Sequence, residues 1–395
     1  MAGLLPVDEA LARVLDGAAP LPDEEIDLAD AAGRVLAADV VASRAQPPFP
    51  ASAMDGYAVR AADVAAAPAR LSVIGRSAAG RRFAGRVGPG EAVRIFTGAP
   101  VPAEATRVII QEDVTRSDDW ITLKDNLDPG PHIRPAGGDF RAGDLLSAPR
   151  RLRPVDLAVL ASMNRAEVAV TRRPVVAIIA TGDELVMPGD DPRPDQIVAS
   201  NSFALKALVE AEGAEARILP IARDEPAHLR AVLELARGAD AIVTTGGASV
   251  GDHDLVAPIT RELGAEPAFW RIAMRPGKPL MAGRLFDALM LGLPGNPVSS
   301  IVCAHLFLLP ALRAMQGLGA WPAPTRTATL AEPVAENGPR AHYMRARLQP
   351  DGQIRAFPRQ DSSLLTVLAE ADALLVRPIG DPARPAGHPV RYIPI

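Results

Sequence analysis

Residues 174–184 read PVVAIIATGDE, an unbroken apolar run that ends in a glycine and two acidic residues. A run rich in Val and Ile that is bounded by proline and glycine is typical of a strand buried on both faces. Two comparable runs follow at residues 216–221 and 240–245, and the segments between them, 201–212 and 225–237, have the length and periodicity of helices. This alternation predicts a doubly wound, mostly parallel sheet that is covered by helices on both faces.

The regions outside this sheet have a different character. Residues 46–150 contain short β-rich runs separated by Gly and Pro clusters, and residues 325–395 repeat that pattern, which predicts a β-rich domain and a small C-terminal β-barrel. Pro6 and Pro154 each precede a short stretch with helical spacing of apolar residues. We therefore predict a multidomain α/β protein divided into an N-terminal helix and linking segment that pack on later domains (1–45), a β-rich domain (46–150), a linking helix and strand that return to the N-terminal segment (151–173), an α/β domain (174–320) and a C-terminal β-barrel domain (321–395).

Composition excludes several classes of function. The chain has 395 residues and a net charge of -5, which argues against a nucleic-acid-binding surface and against a polybasic membrane patch. The one cysteine, Cys303, cannot form an internal disulfide, and the first residues lack the basic start and apolar stretch of a signal peptide, so we expect a cytoplasmic protein. The most apolar segment, 298–312, is interrupted by His305 and Pro310 and is shorter than the roughly 20 residues of a membrane span, which favours a buried helix.

Glycine-rich loops flank the predicted strands at three places, residues 181–184, 244–254 and 292–297. Parallel strands bring their carboxyl ends to one edge of the sheet, where ligands bind in such folds. Glycines there let backbone N–H groups turn inward and hold a phosphate or another anion. One such loop alone is explained as a tight turn, but three on one edge predict a site for a phosphorylated ligand.

The same edge is expected to carry acidic side chains and a few cations. Carboxylates beside a phosphate site commonly hold Mg²⁺, which prefers oxygen ligands and bridges to phosphate oxygens. A helix N-cap or a solvated turn is the alternative explanation for Asp183 and Asp224. Lys278 is one of only three lysines in the chain, which favours a functional role for it. The acidic residues are Asp183, Glu184, Asp224, Asp252 and Asp254, and the cations are Arg275 and Lys278.

A different motif offers a second kind of enzyme. Neither a P-loop nor a nicotinamide-binding fingerprint is present, but residues 247–251 read GASVG and match the G-x-S-x-G nucleophile elbow of serine hydrolases. Ser249 would then be the nucleophile, with His305, His342 or His388 as its base. The glycines before the motif and the acidic residues after it disfavour an elbow.

Two segments of the β-rich region complete a series of motifs. Residues 52–57 read SAMDGY and residues 97–102 read TGAPVP, and they are followed in order by TGDE, TGGxSxGD, PGKP and GLPGNPVS. From Pro6 to the C-terminal strands, the chain resembles the MoeA-type molybdopterin molybdenumtransferases, which are related to the C-terminal domain of gephyrin. The resemblance implies an elongated four-domain homodimer with a site shared between subunits. It also implies that adenylylated molybdopterin and molybdate are the substrates, that molybdenum is inserted into the pterin dithiolene and AMP is released, and that Mg²⁺ is present.

The resemblance adds individual roles to those that the loops suggest. Catalytic roles fall to Asp55, Thr97, Glu184, Asp224, Asp254 and Lys278, and the metal ligands would be Glu184, Asp224 and Asp254. Substrate would be bound by Arg134, Asp139, Thr181, Gly182, Asp183, Gly246, Gly247, Ser249, Gly251, Asp252, Arg271, Arg275, Pro294, Gly295, Asn296 and Ser362. The chain departs from the family pattern at Arg275, where Lys is frequent, and at Ala199, where an Asp often precedes Ser200. The second departure leaves Asn201 as an expected helix cap rather than a ligand.

Three functions fit these residues. The first is the molybdenumtransferase, which would exchange cofactor with a molybdopterin adenylyltransferase and with molybdoenzyme-delivery proteins, without binding nucleic acid or a membrane. The second is the molybdopterin adenylyltransferase itself, which shares the α/β domain but typically lacks flanking β domains. The third is a scaffold of gephyrin type, which would be expected to have a fused second domain and a long linker.

Overall fold

The computed structural model describes residues 4–65, 68–246 and 255–395. Within these residues the chain forms four sheets of four or more strands, and each sheet contributes to a hydrophobic core. The sheets follow one another along the chain, except that the first is completed by segments from both sides of the second.

The sheet of the α/β unit has six strands, and the run at residues 175–180 forms a fully buried strand with a parallel neighbour on each side. Two further strands joined by antiparallel pairing extend one edge, so the sheet is mixed, with four parallel strands. In spatial order the strands are Glu215–Ile218, Val175–Ala180, Ala241–Thr245, Ala288–Leu293, Met281–Leu285 and Glu266–Phe269.

Helices cover both faces of this sheet, which confirms the predicted fold class. Successive strand residues point to opposite faces, so Ile178 joins a core with the buried side of the N-terminal helix, whereas Ile179 joins a second core with Leu229 and Leu233. The helices are Val7–Asp16, Asn201–Ala211, Pro226–Glu234, Val256–Glu262 and Pro297–Met315.

The helix Pro297–Met315 confirms the buried helix that the sequence predicts for its most apolar segment. It is continuous over 19 residues, because a π-helical turn, Ala304–Leu308, precedes Pro310, whose ring then lies in the first turn of the next helical segment. By length and composition it could cross a membrane, but 83% of its most apolar window is buried inside the protein. It is the central helix of the larger α/β core.

The β-rich sheet has six strands, and two shorter strands pair beside it. The sequence predicts one strand over residues 107–114, but the structure has two, because the polar turn Gln111–Asp113 redirects the chain and the Gln111 N–H donates to the carbonyl oxygen of Asp55 (3.1 Å). In spatial order the strands are Arg107–Ile110, Gly56–Val59, Glu91–Ile95, Arg70–Ser77, Trp120–Leu123 and Val114–Ser117, and the shorter pair is Ala51–Ser52 with Ile133–Arg134.

A four-stranded linking sheet combines segments that precede and follow the β-rich domain. Its core contains Leu36, Leu160 and Val170, and Leu160 comes from the helix Pro154–Ser162. The strands are Asp23–Asp27, Glu167–Thr171, Val35–Leu36 and Arg150–Arg151, and Val40–Val41 pairs with Leu145–Leu146 nearby. The β-rich domain is therefore inserted between two halves of this sheet.

The C-terminal sheet closes on itself, because Ala341–Leu348 pairs with both Gln353–Ala356 and Ala373–Arg377. The closed barrel has five strands, Ala341–Leu348, Gln353–Ala356, Arg326–Leu330, Pro389–Pro394 and Ala373–Arg377, and the helix Leu365–Ala369 lies in one connection.

A sixth strand of the C-terminal sheet, Met274–Arg275, comes from the α/β unit. The sequence predicts a strand near residues 268–272, but the observed strand ends at Phe269. After this strand, the backbone of Arg271 and Ala273 forms hydrogen bonds with Leu5 of the N-terminal segment. These bonds direct the chain toward the barrel. Residues 274–279 thus lie between the α/β unit and the C-terminal barrel.

Candidate functional site

A cleft with a volume of 640 Å³ lies at the carboxyl edge of the parallel strands of the α/β sheet. Its walls come from the ends of three strands, from the start of the helix Asn201–Ala211 and from one residue of the C-terminal barrel domain. This is the general location of ligands in open α/β sheets. The lining residues include Thr181, Glu184, Asn201, Thr245, Gly246, Pro294, Gly295, Asn296 and Ser363.

Two loops of the cleft approach each other closely enough to require glycine. The Thr181 N–H donates to the carbonyl oxygen of Thr245 (3.0 Å), and the chain then turns at Gly246 with a φ of 91°. A Cβ atom on Gly246 would lie 2.7 Å from the carbonyl oxygen of Thr181. Both the positive φ and the lack of space therefore exclude a side chain at this position.

Two asparagine side chains hold the loop at residues 292–297 in place. Asn201 donates to the carbonyl oxygen of Gly295 (2.8 Å), and Asn296 donates to Ser362 Oγ (3.0 Å). The expectation that Asn201 caps a helix is wrong, because Ser200 occupies the cap position and no side-chain capping bond forms. Asn201 instead connects the helix start to the loop, and Asn296 connects the loop to the barrel domain.

Three of the predicted acidic residues lie at this edge of the sheet. Glu184 lines the cleft, and its carboxylate lies over Gly182, where a Cβ atom would overlap it. The Asp224 N–H donates to Asp183 Oδ1 (3.1 Å), which joins the loop after the first strand to the loop before the helix Pro226–Glu234. The predicted residues Gly247, Ser249, Gly251, Asp252 and Asp254 lie outside the described residues.

The predicted magnesium ligands can be tested against this arrangement. Residues 4–65, 68–246 and 255–395 contain no group of three or more His, Cys, Asp or Glu side chains that could hold a metal ion. Mg²⁺ is, however, usually held by one or two carboxylates together with substrate phosphates. Glu184, which lines the cleft, and Asp224, whose N–H is bonded to Asp183 Oδ1, supply that number of carboxylates. This donor set fits an ion that is bound together with phosphate.

The predicted cations do not share one wall. Lys278 is exposed and directly precedes Pro279, which lines the cleft. Arg275 instead lines a second cavity of 690 Å³, together with His342 and other residues of the barrel domain. Arg271 is exposed on the same connecting segment. The segment between the two units thus presents cations toward two different spaces.

A buried arginine that the sequence pattern did not reveal lies at the turn carrying Ser362. Arg345 is 0% exposed, and its Nε and Nη1 atoms have no hydrogen-bond partner among the described residues. Its Nη2 atom donates to the carbonyl oxygens of Arg359 (3.3 Å) and Asp361 (3.0 Å). Burial lowers the pKa of Arg345, but a guanidinium stays protonated at neutral pH. Buried donors without a partner are unusual, and Arg345 lines neither of the two cavities described above.

In the β-rich domain the predicted residues Asp55 and Thr97 are in direct contact. The N–H and the hydroxyl of Thr97 both donate to Asp55 Oδ1, each at 2.8 Å. These two bonds, together with the positive charge of Arg94, hold the pKa of Asp55 below its ordinary value of 3.8. Arg134 lies in the short strand Ile133–Arg134, which pairs with Ala51–Ser52, just before the loop that carries Asp55. Asp139 is exposed on the loop that follows Arg134. Asp55 is therefore an ionised carboxylate at neutral pH.

The two groups of predicted catalytic residues are not joined by polar contacts within one chain. Among the described residues, no hydrogen bond or ion pair connects residues 46–147 with residues 174–395. The linking sheet makes the connection instead, for example through the ion pair of Arg151 with Glu212 (2.8 Å). Asp55 and Glu184 thus lie in units that share no polar contact among the described residues.

Two of the histidines considered as bases for Ser249, His305 and His342, lie in different units of the chain. Burial lowers the pKa of His305 and of His342 to about 4, so both are neutral at pH 7. His305 lies in the central helix, and His342 lies in the barrel. Ser249 itself lies outside the part of the chain that the structure describes.

Family models match three consecutive parts of the chain. The MoeA N-terminal region (domain I and II) matches residues 5–164, and the probable molybdopterin binding domain matches residues 177–314. The MoeA C-terminal region (domain IV) matches residues 327–395. The matches therefore extend through the β-rich and barrel domains as well as the α/β domain.

Curated relatives and a solved structure are similar over most of their length. The molybdopterin molybdenumtransferase of Haemophilus influenzae is 37% identical, with 83% of this chain and 82% of that protein covered. The molybdopterin molybdenumtransferase of Bacillus subtilis is 34% identical, with 98% and 94% covered. The crystal structure of the molybdopterin biosynthesis MoeA protein from Pyrococcus horikoshii OT3 has a TM-score of 0.85 at 29% identity and covers 100% of both chains.

Proposed function

The chain belongs to the MoeA family, and on this premise we propose that it inserts molybdenum from molybdate into adenylylated molybdopterin with release of AMP. It is an enzyme of molybdenum cofactor biosynthesis, a molybdopterin molybdenumtransferase like its curated relatives. The family matches to the β-rich and barrel domains favour this activity over that of an adenylyltransferase built from the α/β domain alone.

The observation that carries the proposal is the strand-end cleft. Its volume of 640 Å³ lies within the range of roughly 300–1,000 Å³ that small-molecule sites occupy. The glycine turns at Gly246 and Gly295 leave backbone atoms accessible to phosphate groups, and Ser363 brings the barrel domain to the same space. A phosphorylated pterin that spans the α/β unit and the barrel would meet these features together.

Molybdate is a dianion and needs cationic donors that are not already neutralised. Arg345 offers two N–H groups without a partner in the described part of the chain, next to the turn that carries Ser362. Lys278 is exposed and makes no ion pair with any described residue. We expect Lys278 to contact molybdate beside the cleft, and the buried Arg345 to add positive charge from behind the turn that carries Ser362.

Glu184 and Asp224, together with the predicted ligand Asp254, would hold Mg²⁺ against the phosphates of the substrate. When bound there, Mg²⁺ would supply positive charge to those phosphates. The protein's own part is to keep Glu184 and Asp224 at the strand ends, where the bond from the Asp224 N–H to Asp183 Oδ1 joins two of the loops.

A homodimer with a shared site is part of the proposal. The absence of polar contacts between residues 46–147 and 174–395 among the described residues supports a β-rich domain that faces the cleft of a partner subunit. Asp55, held in place by Thr97, would then complete a site whose other residues belong to that partner. We further propose that the dimer works in the cytoplasm and exchanges cofactor with a molybdopterin adenylyltransferase and with molybdoenzyme-delivery proteins.

Release of AMP tests the proposed reaction. The purified protein is incubated with adenylylated molybdopterin and Mg²⁺, with and without molybdate, and AMP is measured by chromatography. We expect AMP release to depend on molybdate. AMP release that is equal without molybdate, or no release under either condition, would reject the reaction.

A lysine pair sharpens this test. Lys278→Ala removes an exposed cation beside the cleft, whereas Lys206→Ala removes an exposed cation that is already paired with Glu210. We expect Lys278→Ala to raise the molybdate concentration needed for half-maximal AMP release about tenfold and to leave binding of the pterin nucleotide nearly unchanged. Lys206→Ala is expected to behave as the wild type. Equal losses for both ligands would contradict the assignment of Lys278 to molybdate.

A further inference from the structure

The β-rich domain carries a group of stacked side chains that the proposed reaction does not use. The guanidinium of Arg76 lies 4.5 Å from the ring centroid of Phe96, and that of Arg94 lies 4.8 Å from the same centroid. Arg94 also lies 5.1 Å from the ring centroid of Tyr57. We call Tyr57, Arg94, Phe96 and Arg76 the arginine stack.

The strand register places the two positive charges of the stack side by side. Arg76 and Arg94 are partners on the parallel strands Arg70–Ser77 and Glu91–Ile95. Like charges directly opposite on a sheet destabilise it, and contact with an aromatic ring offsets that repulsion without neutralising the charge. An anion beside the guanidiniums would neutralise it.

No carboxylate neutralises the stack within the described part of the chain. Arg94 donates to two neutral oxygens, the carbonyl of Gly56 (3.2 Å) and Oε1 of Gln111 (2.7 Å), and neither it nor Arg76 forms an ion pair there. The Asp55 carboxylate and Arg94 affect each other electrostatically, but Asp55 Oδ1 already accepts two bonds from Thr97. The stack therefore keeps an excess of positive charge.

The stack adjoins the loop to which the proposed function gives a catalytic role. Phe96 directly precedes Thr97, and Gly98 has a φ of 79° with open space where a side chain would be. Arg76 is exposed and makes no side-chain hydrogen bond within the described residues, so its donors are free to meet a ligand. A planar guanidinium binds phosphate oxygens with two parallel N–H bonds.

We propose that the arginine stack is a phosphate-binding surface that holds the phosphoanhydride of the adenylylated substrate beside Asp55 and Thr97. The identity of this ligand rests on the proposed function. Its chemistry rests on the stack itself, which has two guanidiniums fixed by one ring and no carboxylate partner in the described residues. Binding at this surface would hold the nucleotide end of the substrate on the β-rich domain.

Titration of the full-length protein with inorganic pyrophosphate tests the proposal. Calorimetry on Arg76→Ala is compared with Arg70→Ala, a matched control at the other end of the same strand, where an equally exposed arginine lies 4.5 Å from the Trp120 ring centroid. We expect Arg76→Ala to weaken pyrophosphate binding about tenfold and Arg70→Ala to leave it unchanged. Arg76→Lys, which keeps the charge but loses the planar fork, is expected to lie between them.

Two results would overturn the assignment. One is wild-type affinity in Arg76→Ala, and the other is an equal loss in Arg76→Ala and Arg70→Ala, which would indicate only the general charge of the domain. AMP release separates this failure from failure of the proposed function. If AMP release depends on molybdate but Arg76→Ala binds pyrophosphate with wild-type affinity, only the proposal for the arginine stack fails. If Arg76 controls pyrophosphate binding but AMP is not released, the proposed function fails and the phosphate surface stands.

Discussion

The strand-end cleft and the arginine stack present polar groups to solvent by opposite means. In the cleft, the loops at Gly246 and Gly295 and the ends of parallel strands form the walls. In the stack, long side chains from neighbouring strands are ordered by the ring of Phe96. The cleft depends on where the strands end. The arginine stack depends on which residues lie opposite each other on neighbouring strands.

This difference explains why the two regions are unequally visible in the sequence. Strand ends with glycines leave motifs that can be found without a structure. The pairing of Arg76 with Arg94 depends on an irregularity between Val73 and Gly75, which shifts the register of their strands. A one-residue slip would move every later side chain of the strand to the opposite face. The stack would then not exist, although the sequence would be the same.

The largest effect on stability and activity is expected at the backbone contact between Gly246 and Thr181 in the cleft. Gly246→Ala places a Cβ atom 2.7 Å from the carbonyl oxygen of Thr181 in a residue with a φ of 91°, so the two loops must separate. We expect the free energy of unfolding to fall by about 2–4 kcal/mol, and molybdate-dependent AMP release to fall by about 100-fold or more. Urea unfolding and the AMP assay measure the two effects.

Gly264→Ala is the matched control for this substitution. Gly264 has nearly the same φ, 89°, but open space where the Cβ atom would lie. We expect it to cost only the roughly 1–2 kcal/mol of the left-handed conformation and to keep full activity. Wild-type activity in Gly246→Ala would show that the loop contact is not part of the site.

The second effect concerns the buried cation behind the turn that carries Ser362. Arg345→Met keeps most of the volume but removes the buried positive charge, so we expect AMP release at low molybdate to fall about tenfold. The carbonyl oxygens of Arg359 and Asp361 lose a donor, which lowers the free energy of unfolding by about 1–3 kcal/mol. Arg347→Met, an exposed residue of the same strand, serves as the control. An unchanged dependence on molybdate in Arg345→Met would make Arg345 purely structural.

Much of the fold could be predicted from the sequence because it depends on local patterns. The apolar run 175–180 and the helical segments after it determine the α/β sheet and its covering helices. The strand Met274–Arg275 could not be predicted, because it forms only after the chain is captured by Leu5 and reaches Ala341 of the barrel. The continuous helix around Pro310 depends on a π-helical turn, which has no simple sequence signal.

The candidate site divides in the same way. Thr181, Gly246 and Gly295 were predicted from motifs at strand ends, and the structure places all three in one cleft. Asn201 and Arg345 escaped prediction, because their importance comes from distant partners, the carbonyl of Gly295 for one and a buried turn of the barrel domain for the other. A buried arginine cannot be distinguished from an exposed one by its neighbours in the sequence alone.

A third prediction asks whether the two regions act on one substrate. Asp55→Ala and Glu184→Ala are each expected to be inactive, and we mix them equally, unfold them and refold them so that subunits pair at random. About half of the dimers are then mixed, and by two-fold symmetry each mixed dimer has one site with both defects and one with neither. Molybdate-dependent AMP release is expected to return to roughly a quarter of the wild-type rate. Persistent inactivity, with mixed dimers confirmed by mass spectrometry, would reject a site shared between subunits.

The smallest expected effect concerns the ionisation of Asp55 beside the stack. Folding lowers the pKa of this carboxyl below 3.8, so its contribution to stability is fully present above that value and is lost as the pH falls through the lower folded-state pKa. Thr97→Val removes the hydroxyl bond but keeps the backbone N–H bond, which is the larger cause, whereas Thr97→Ser keeps both. We expect an NMR titration to show a higher Asp55 pKa in Thr97→Val and an unchanged pKa in Thr97→Ser, with activity at pH 7 altered by less than about threefold because Asp55 stays ionised. A large loss of activity in Thr97→Val without a change in this pKa would instead mean that the Thr97 hydroxyl contacts substrate directly.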